Sequence, residues 1–135
     1  MTPDPRVLAD FAGDWRLCKN VVQADGTRGR FEGTASWHPA GTGAEYTEAG
    51  RMTLGDAPPF HATRRYRWSQ GLEVSFEDGR FFHQVPALGG ATTHWCDPDR
   101  YDVVYDFSAW PEFNVSWRVK GPRKDYTLQC QYRRP

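Results

Sequence analysis

Four side chains between positions 83 and 101 are of types that do chemistry together: the imidazoles of His83 and His94, the thiol of Cys96 and the phenol of Tyr101. Two imidazoles and a thiolate suit a soft divalent metal. Histidine near its natural pKa, with a tyrosine as donor, suits proton transfer. The same groups can also orient a polar atom on a bound molecule, or satisfy one another in a wet cavity. The spacing holds no tight ligand pair of the kind used by structural zinc, so no metal is expected. The remaining readings stay open. A second polar set comprises Lys19, Tyr46, Glu48, Arg64, Tyr66, Tyr126 and Tyr132. A buried charge without a partner is costly, so Glu48 is expected to pair with Arg64 or Lys19, either as a structural ion pair or as a ligand anchor.

These residues share a face only if the chain between them is strand. Turn signals recur at short intervals, among them ADG at 24–26, AGTG at 40–43, GDAPP at 55–59, DG at 78–79, PALGGA at 86–91, PD at 98–99 and GPRKD at 121–125. They delimit about ten strands of ordinary length. Residues directly opposite in an antiparallel pair point to the same side, so each turn length sets which faces agree. With Asp78-Gly79 as a two-residue type I′ turn, Phe76 is predicted to face Phe81 and Val74 to face His83. A symmetric PALGGA loop sets His83 opposite His94 and Val85 opposite Thr92, and the PD turn sets Cys96 opposite Tyr101. The same face then continues through Val103 and Tyr105 to Val115 and Trp117, and on to Tyr126, Leu128, Cys130 and Tyr132. In the first half, Phe31, Gly33, Ala35 and Trp37 face Tyr46, Glu48 and Gly50, with Arg64, Tyr66 and Trp68 beyond. ADG as a three-residue loop with Gly26 left-handed turns Lys19, Leu17 and Trp15 inward.

One inner face over sequentially connected antiparallel strands implies an up-and-down meander that closes into a β-barrel, leaving no edge unpaired. The fold class is therefore all-β, and residues 1–135 form one domain. Only Asp4–Phe11 reads as a helical turn, with Asp4 as N-cap and Pro5 at the first helical position. Composition agrees. Six Trp, six Tyr and eight Phe make 15% of the chain aromatic, which suits pleated, half-buried surfaces.

Seventeen basic and seventeen acidic residues cancel, so no electrostatic footprint for nucleic acid or an anionic membrane is expected. The opening MTPDPRV lacks the features of a secretory signal, and a cytoplasmic protein is expected. Cys18, Cys96 and Cys130 are odd in number and lack CxxC spacing, so reduced thiols are expected.

Gly13-Asp14-Trp15 after a helical turn resembles the Gly-x-Trp motif of the calycin superfamily, which contains lipocalins and fatty-acid-binding proteins. Across the chain, FAGDWRL, YTEAG, RRYRW, FEDGRFFH, HWCDPDRY and GPRKDY resemble a family of uncharacterised bacterial lipocalin-like domains. The resemblance implies a lipocalin-like barrel whose floor Trp15 closes, with Arg133 or Arg134 packed over the indole. Intracellular fatty-acid carriers hold the ligand carboxylate with Arg-x-Tyr on the last strand. Here the stretch is Cys130-Gln131-Tyr132, so the Tyr is kept and the cation must come from another wall, from Arg64 or Lys19. Some calycin-like barrels bind haem through one histidine, but nothing selects among His38, His61, His83 and His94, and no cofactor is expected.

The expected function is binding of a small hydrophobic or amphipathic ligand with one polar or anionic group, stacked among Trp37, Tyr66, Trp68 and Trp117. Lys124, entering the last strand beside Asp125, is placed to meet an anionic head at the barrel mouth. PALGG at 86–90 and GDAPP at 55–59 are the expected portal rim. The alternatives are a small enzyme using His83 and His94 for acid/base chemistry, and a filled barrel that acts as an interaction domain.

Overall fold

The computed structural model describes residues 4–135. Residues 1–3, part of the opening from which the lack of a leader is read, lie outside the described residues. A one-turn helix, α1 (Leu8–Phe11), precedes ten strands: β1 (Gly13–Gln23), β2 (Arg28–Ala40), β3 (Gly43–Leu54), β4 (Phe60–Trp68), β5 (Glu73–Phe76), β6 (Phe81–Gln84), β7 (Gly90–Cys96), β8 (Asp99–Asp106), β9 (Phe113–Lys120) and β10 (Asp125–Arg133). The helix starts later than the sequence predicts. Val7, not Asp4, is its N-cap residue, and the Val7 backbone N–H donates to Asp10 Oδ2 at 2.9 Å.

The strands form one antiparallel sheet in the order β6-β5-β4-β3-β2-β1-β10-β9-β8-β7. The first and last strands pair along their length, Leu17 opposite Tyr132 and Lys19 opposite Cys130, so the sheet curls into a nearly closed barrel. Between β6 and β7 there is no ladder. That seam is bridged by side chains, with the His94 ring 6.2 Å from Phe81 and 5.5 Å from Phe82.

The register of the first four strands follows the predicted faces: Trp37 lies opposite Tyr46, Ala35 opposite Glu48, Gly33 opposite Gly50, and Glu48 opposite Arg64. A Cβ at Gly33 would lie 2.2 Å from the Ala49 carbonyl oxygen and one at Gly50 2.3 Å from the Glu32 carbonyl oxygen, so this pair of glycines lets β2 and β3 approach closely. Gln23 N–H donates to the Thr27 carbonyl across Ala24-Asp25-Gly26, and Gly26 has φ +89°.

The hairpin after β5 is built the same way, which corrects the two-residue reading of Asp78-Gly79. Phe76 N–H donates to the Arg80 carbonyl across Glu77-Asp78-Gly79, with Gly79 at φ +91°. In both loops the middle Asp accepts from the backbone N–H two residues on, Thr27 in one and Arg80 in the other. Ser75 therefore lies opposite Phe81, and a bulge brings Val74 opposite His83. Phe82 is the extra residue. It turns inward beside His83, whereas Phe81, predicted to face inward, is 53% exposed.

Two further registers are corrected. Asp97 and Pro98 alone make the β7–β8 turn, so His94 lies opposite Tyr101 and Cys96 opposite Asp99. Thr92 lies opposite Val103, and β6 has no ladder to set His83 against His94 or Val85 against Thr92. Among the described residues, no helix is long and apolar enough to cross a membrane.

Candidate functional site

In a meander successive turns alternate between the two ends. The turns at 41–42, 69–72, 85–89 and 107–112 fall at one end with α1, and those at 24–27, 55–59, 77–80, 97–98 and 121–124 at the other. Aromatic side chains close the first end. Trp15 is fully buried and packs edge-on against Trp37, Trp110 and Phe113 at 5.2–5.9 Å between ring centroids. Its Nε1 donates to the Phe11 carbonyl at 2.8 Å, which ties the helix to the floor. The Arg134 guanidinium lies 3.8 Å above the indole and donates to the Asp14 and Asp10 carbonyls at 3.1 Å each. Of the two arginines that the calycin resemblance offers, Arg134 takes this place. The PALGG loop belongs to the same closed end, where Arg6 N–H donates to the Ala87 carbonyl at 2.7 Å. It is not a portal rim, and no residue of GDAPP lines the cavity described next.

Above the floor the interior is not filled. A cavity of about 340 Å³ remains, within the range of small-molecule sites. Its apolar wall includes Trp68, Val74, Phe76, Phe82 and Trp117. The Phe82 ring stacks on Trp117 at 5.4 Å and on Phe76 at 4.6 Å. Phe82 is the wall residue that period-two reading misses. The signal for it lies in the sequence, since Glu77-Asp78-Gly79 repeats the pattern of Ala24-Asp25-Gly26.

Low on the wall, Lys19 and Glu48 form a buried ion pair through Lys19 Nζ and Glu48 Oε1. Arg64 stands opposite Glu48 in register, yet Lys19 is the partner. Glu48 Oε2 accepts from the Tyr46 hydroxyl at 2.5 Å, and the Tyr46 hydroxyl oxygen in turn lies 2.8 Å from the Tyr132 hydroxyl. Cys130 lines the cavity nearby, and burial pushes its thiol up to about 12. It is an inert wall group rather than a nucleophile.

Toward the mouth, Arg64, Tyr66, Tyr101, Lys124 and Tyr126 all line the cavity. Lys124 Nζ donates to the Tyr101 hydroxyl at 2.8 Å and sits 3.2 Å from Asp99 Oδ2; the bond to Tyr101, then that to Asp99, holds its pKa above the ordinary lysine value. Arg64 differs. It makes no ion pair among the described residues, and it lines both the cavity and the outer surface beside it, so part of its side chain is exposed. Burial opposes its charge, while the Tyr66 phenol and the Glu48 carboxylate favour it, and on balance its pKa is raised.

The histidine and cysteine set does not assemble. His83 lines the cavity, with Nε2 2.8 Å from the Tyr105 hydroxyl, and Tyr101 lines it too. His94 and Cys96 do not; His94 closes the seam instead. Burial, with a smaller contribution from His94, pushes His83 down to about 3. The unfolded chain gains a proton there near pH 6.5 and the folded chain only near pH 3, so stability falls as pH drops through that window. Between pH 7 and 4.5 this group alone is expected to cost about 2–3 kcal/mol. Urea unfolding of the wild-type chain and His83→Phe at both pH values tests this, because the variant lacks that share of the acid sensitivity.

A stoppered floor, an open mouth and a partly polar cavity between them define the class: an antiparallel meander barrel with an internal chamber. Residues 11–134 match the family of unknown function DUF6314, and the chain belongs to that family. No curated protein matches it in sequence. Among solved structures it is similar to an S-type phycobiliprotein lyase from Guillardia theta, with TM-score 0.64 and 6% identity over 95% of this chain and 90% of that one. It is also similar to a de novo designed fluorescence-activating β-barrel, with TM-score 0.46 and 17% identity over 95% of this chain and 96% of the design. At 6% identity the likeness to the lyase concerns the fold alone.

Proposed function

We propose that the chain is a single-domain, cytoplasmic barrel of calycin type that binds a small, mostly apolar molecule carrying one anionic group. The observation that carries this reading is Arg64, a guanidinium facing the cavity with no carboxylate paired to it among the described residues. Lys19 and Lys124, the other cations on the wall, both have acidic partners. An anion entering the chamber therefore meets one positive charge that no carboxylate contacts directly, with Tyr66 and Tyr126 beside it and Trp68, Phe82 and Trp117 available for stacking. The stoppering of the floor by Trp15 and Arg134 supports the calycin assignment. Three free thiols fit a reducing compartment.

Two features weigh against acid/base catalysis by the histidines. A group pushed down to about 3 makes a poor proton shuttle at neutral pH, and His94 lies off the cavity. The test is calorimetric titration with naphthoate and with its neutral amide. Arg64→Gln is expected to weaken naphthoate binding by roughly 10- to 100-fold, the range for a lost charge-assisted hydrogen bond, and to leave the amide nearly unchanged. Equal losses for both probes, or no binding by the wild-type chain, would remove the reading.

A further inference from the structure

The buried network below Arg64 has fixed proton directions, and these determine what it can offer a ligand. Glu48 is paired with the Lys19 ammonium, so its carboxylate only accepts. The Tyr46 hydroxyl, 2.5 Å from Glu48 Oε2, must therefore donate to it. A phenol carries one proton. The 2.8 Å contact between Tyr46 and Tyr132 must then be donated by Tyr132 and accepted by Tyr46. Burial, reinforced by Glu48, holds both phenols well above the ordinary tyrosine value, so both protons stay in place at neutral pH. The ammonium of Lys19 also lies 5.1 Å from the Phe31 ring centroid.

Both phenol protons thus run toward Glu48. Tyr132 lines the cavity, and what its oxygen has left for a ligand is a lone pair and no proton. We propose that Tyr132 is the acceptor in a second recognition site, so that the ligand carries, besides its anionic group, a hydroxyl or N–H that donates to Tyr132. This rests on the cavity-binding reading and names its ligand class: a compact hydroxylated or aminated aromatic acid. An ether, carbonyl or halogen at the same position would place lone pair against lone pair and be discriminated against, because the site cannot turn its proton round.

The experiment uses the full chain and calorimetry with hydroxynaphthoate, fluoronaphthoate and methoxynaphthoate. Hydroxynaphthoate is expected to bind about tenfold tighter than its fluorine isostere, the effect of one net hydrogen bond. In Tyr132→Phe that preference should shrink to about twofold or less while the fluorinated probe binds at least as tightly as to the wild-type chain. Tyr46→Phe frees the Tyr132 proton, so the ether-bearing probe should gain severalfold there, a change that a merely structural tyrosine does not produce. All three probes binding with equal affinity, or a preference for hydroxyl that survives in Tyr132→Phe, overturns the inference and leaves the cavity-binding reading standing. No binding by any of them overturns both.

Discussion

Trp15→Ala is expected to destabilise the chain by about 3–5 kcal/mol, enough to unfold a barrel of ordinary stability in large part. Three losses act together. The indole is fully buried among Trp37, Trp110 and Phe113, so its removal leaves a void that rigid strand ends cannot collapse into. The Phe11 carbonyl loses the donor that holds α1 to the floor. Arg134 loses the ring it covers and is left with only its two carbonyl contacts. Trp15→Phe retains part of the packing and should fall between. Urea unfolding at neutral pH measures the series. A cost under 1 kcal/mol for Trp15→Ala would show that the floor closes without its stopper.

The second large effect is at the buried ion pair. Glu48→Leu is expected to cost about 3–5 kcal/mol, because it leaves the Lys19 ammonium at 7% exposure without a counter-charge and the Tyr46 hydroxyl without its acceptor. The informative comparison is the double variant. Lys19→Met with Glu48→Leu replaces two charges by packable side chains of similar volume, and such replacements are often neutral. The double variant should therefore recover at least half of the loss, with the unsatisfied Tyr46 hydroxyl accounting for the remainder. If it is as unstable as the single variant, the cost comes from packing and not from an unpaired charge.

Most of the barrel was legible from turn length and side-chain alternation, because an antiparallel ladder converts one into the other. Gly26 after Ala24-Asp25 sets β1 against β2, and the alternation from Tyr101 to Tyr132 carries through three long strands without interruption. Legibility failed where the period of two is broken. Glu77-Asp78-Gly79 closes a three-residue loop, and the bulge at Phe82 lets two consecutive residues face inward, which no alternating pattern anticipates. The seam escapes the alternating pattern for a related reason. A continuous face implies neighbouring strands, but PALGG carries the chain across the floor end without pairing β6 to β7, so His94 becomes a stopper of the gap and not a partner of His83.

The candidate site was legible as a set of residues but not as a set of roles. Alternation puts Lys19, Glu48 and Arg64 inside, yet only the packed structure decides that Lys19 takes the carboxylate and Arg64 is left facing the chamber. Tyr132 shows the limit most clearly. Its place on the last strand matches the tyrosine of a fatty-acid clamp, but a phenol there can donate or accept, and the choice depends on Tyr46 and Glu48, which are distant in sequence.

The placement of the seam bears on how the chain is made. Eight of the nine ladders join strands adjacent in sequence and can zip as hairpins while the polypeptide is still emerging from the ribosome. The remaining one, β1 with β10, is what unites the two runs of hairpins, and β10 is the last strand to leave the exit tunnel. Until then β1 waits with an open edge, so the nascent barrel depends on the tenth strand, or on a chaperone, to keep that edge from neighbouring chains.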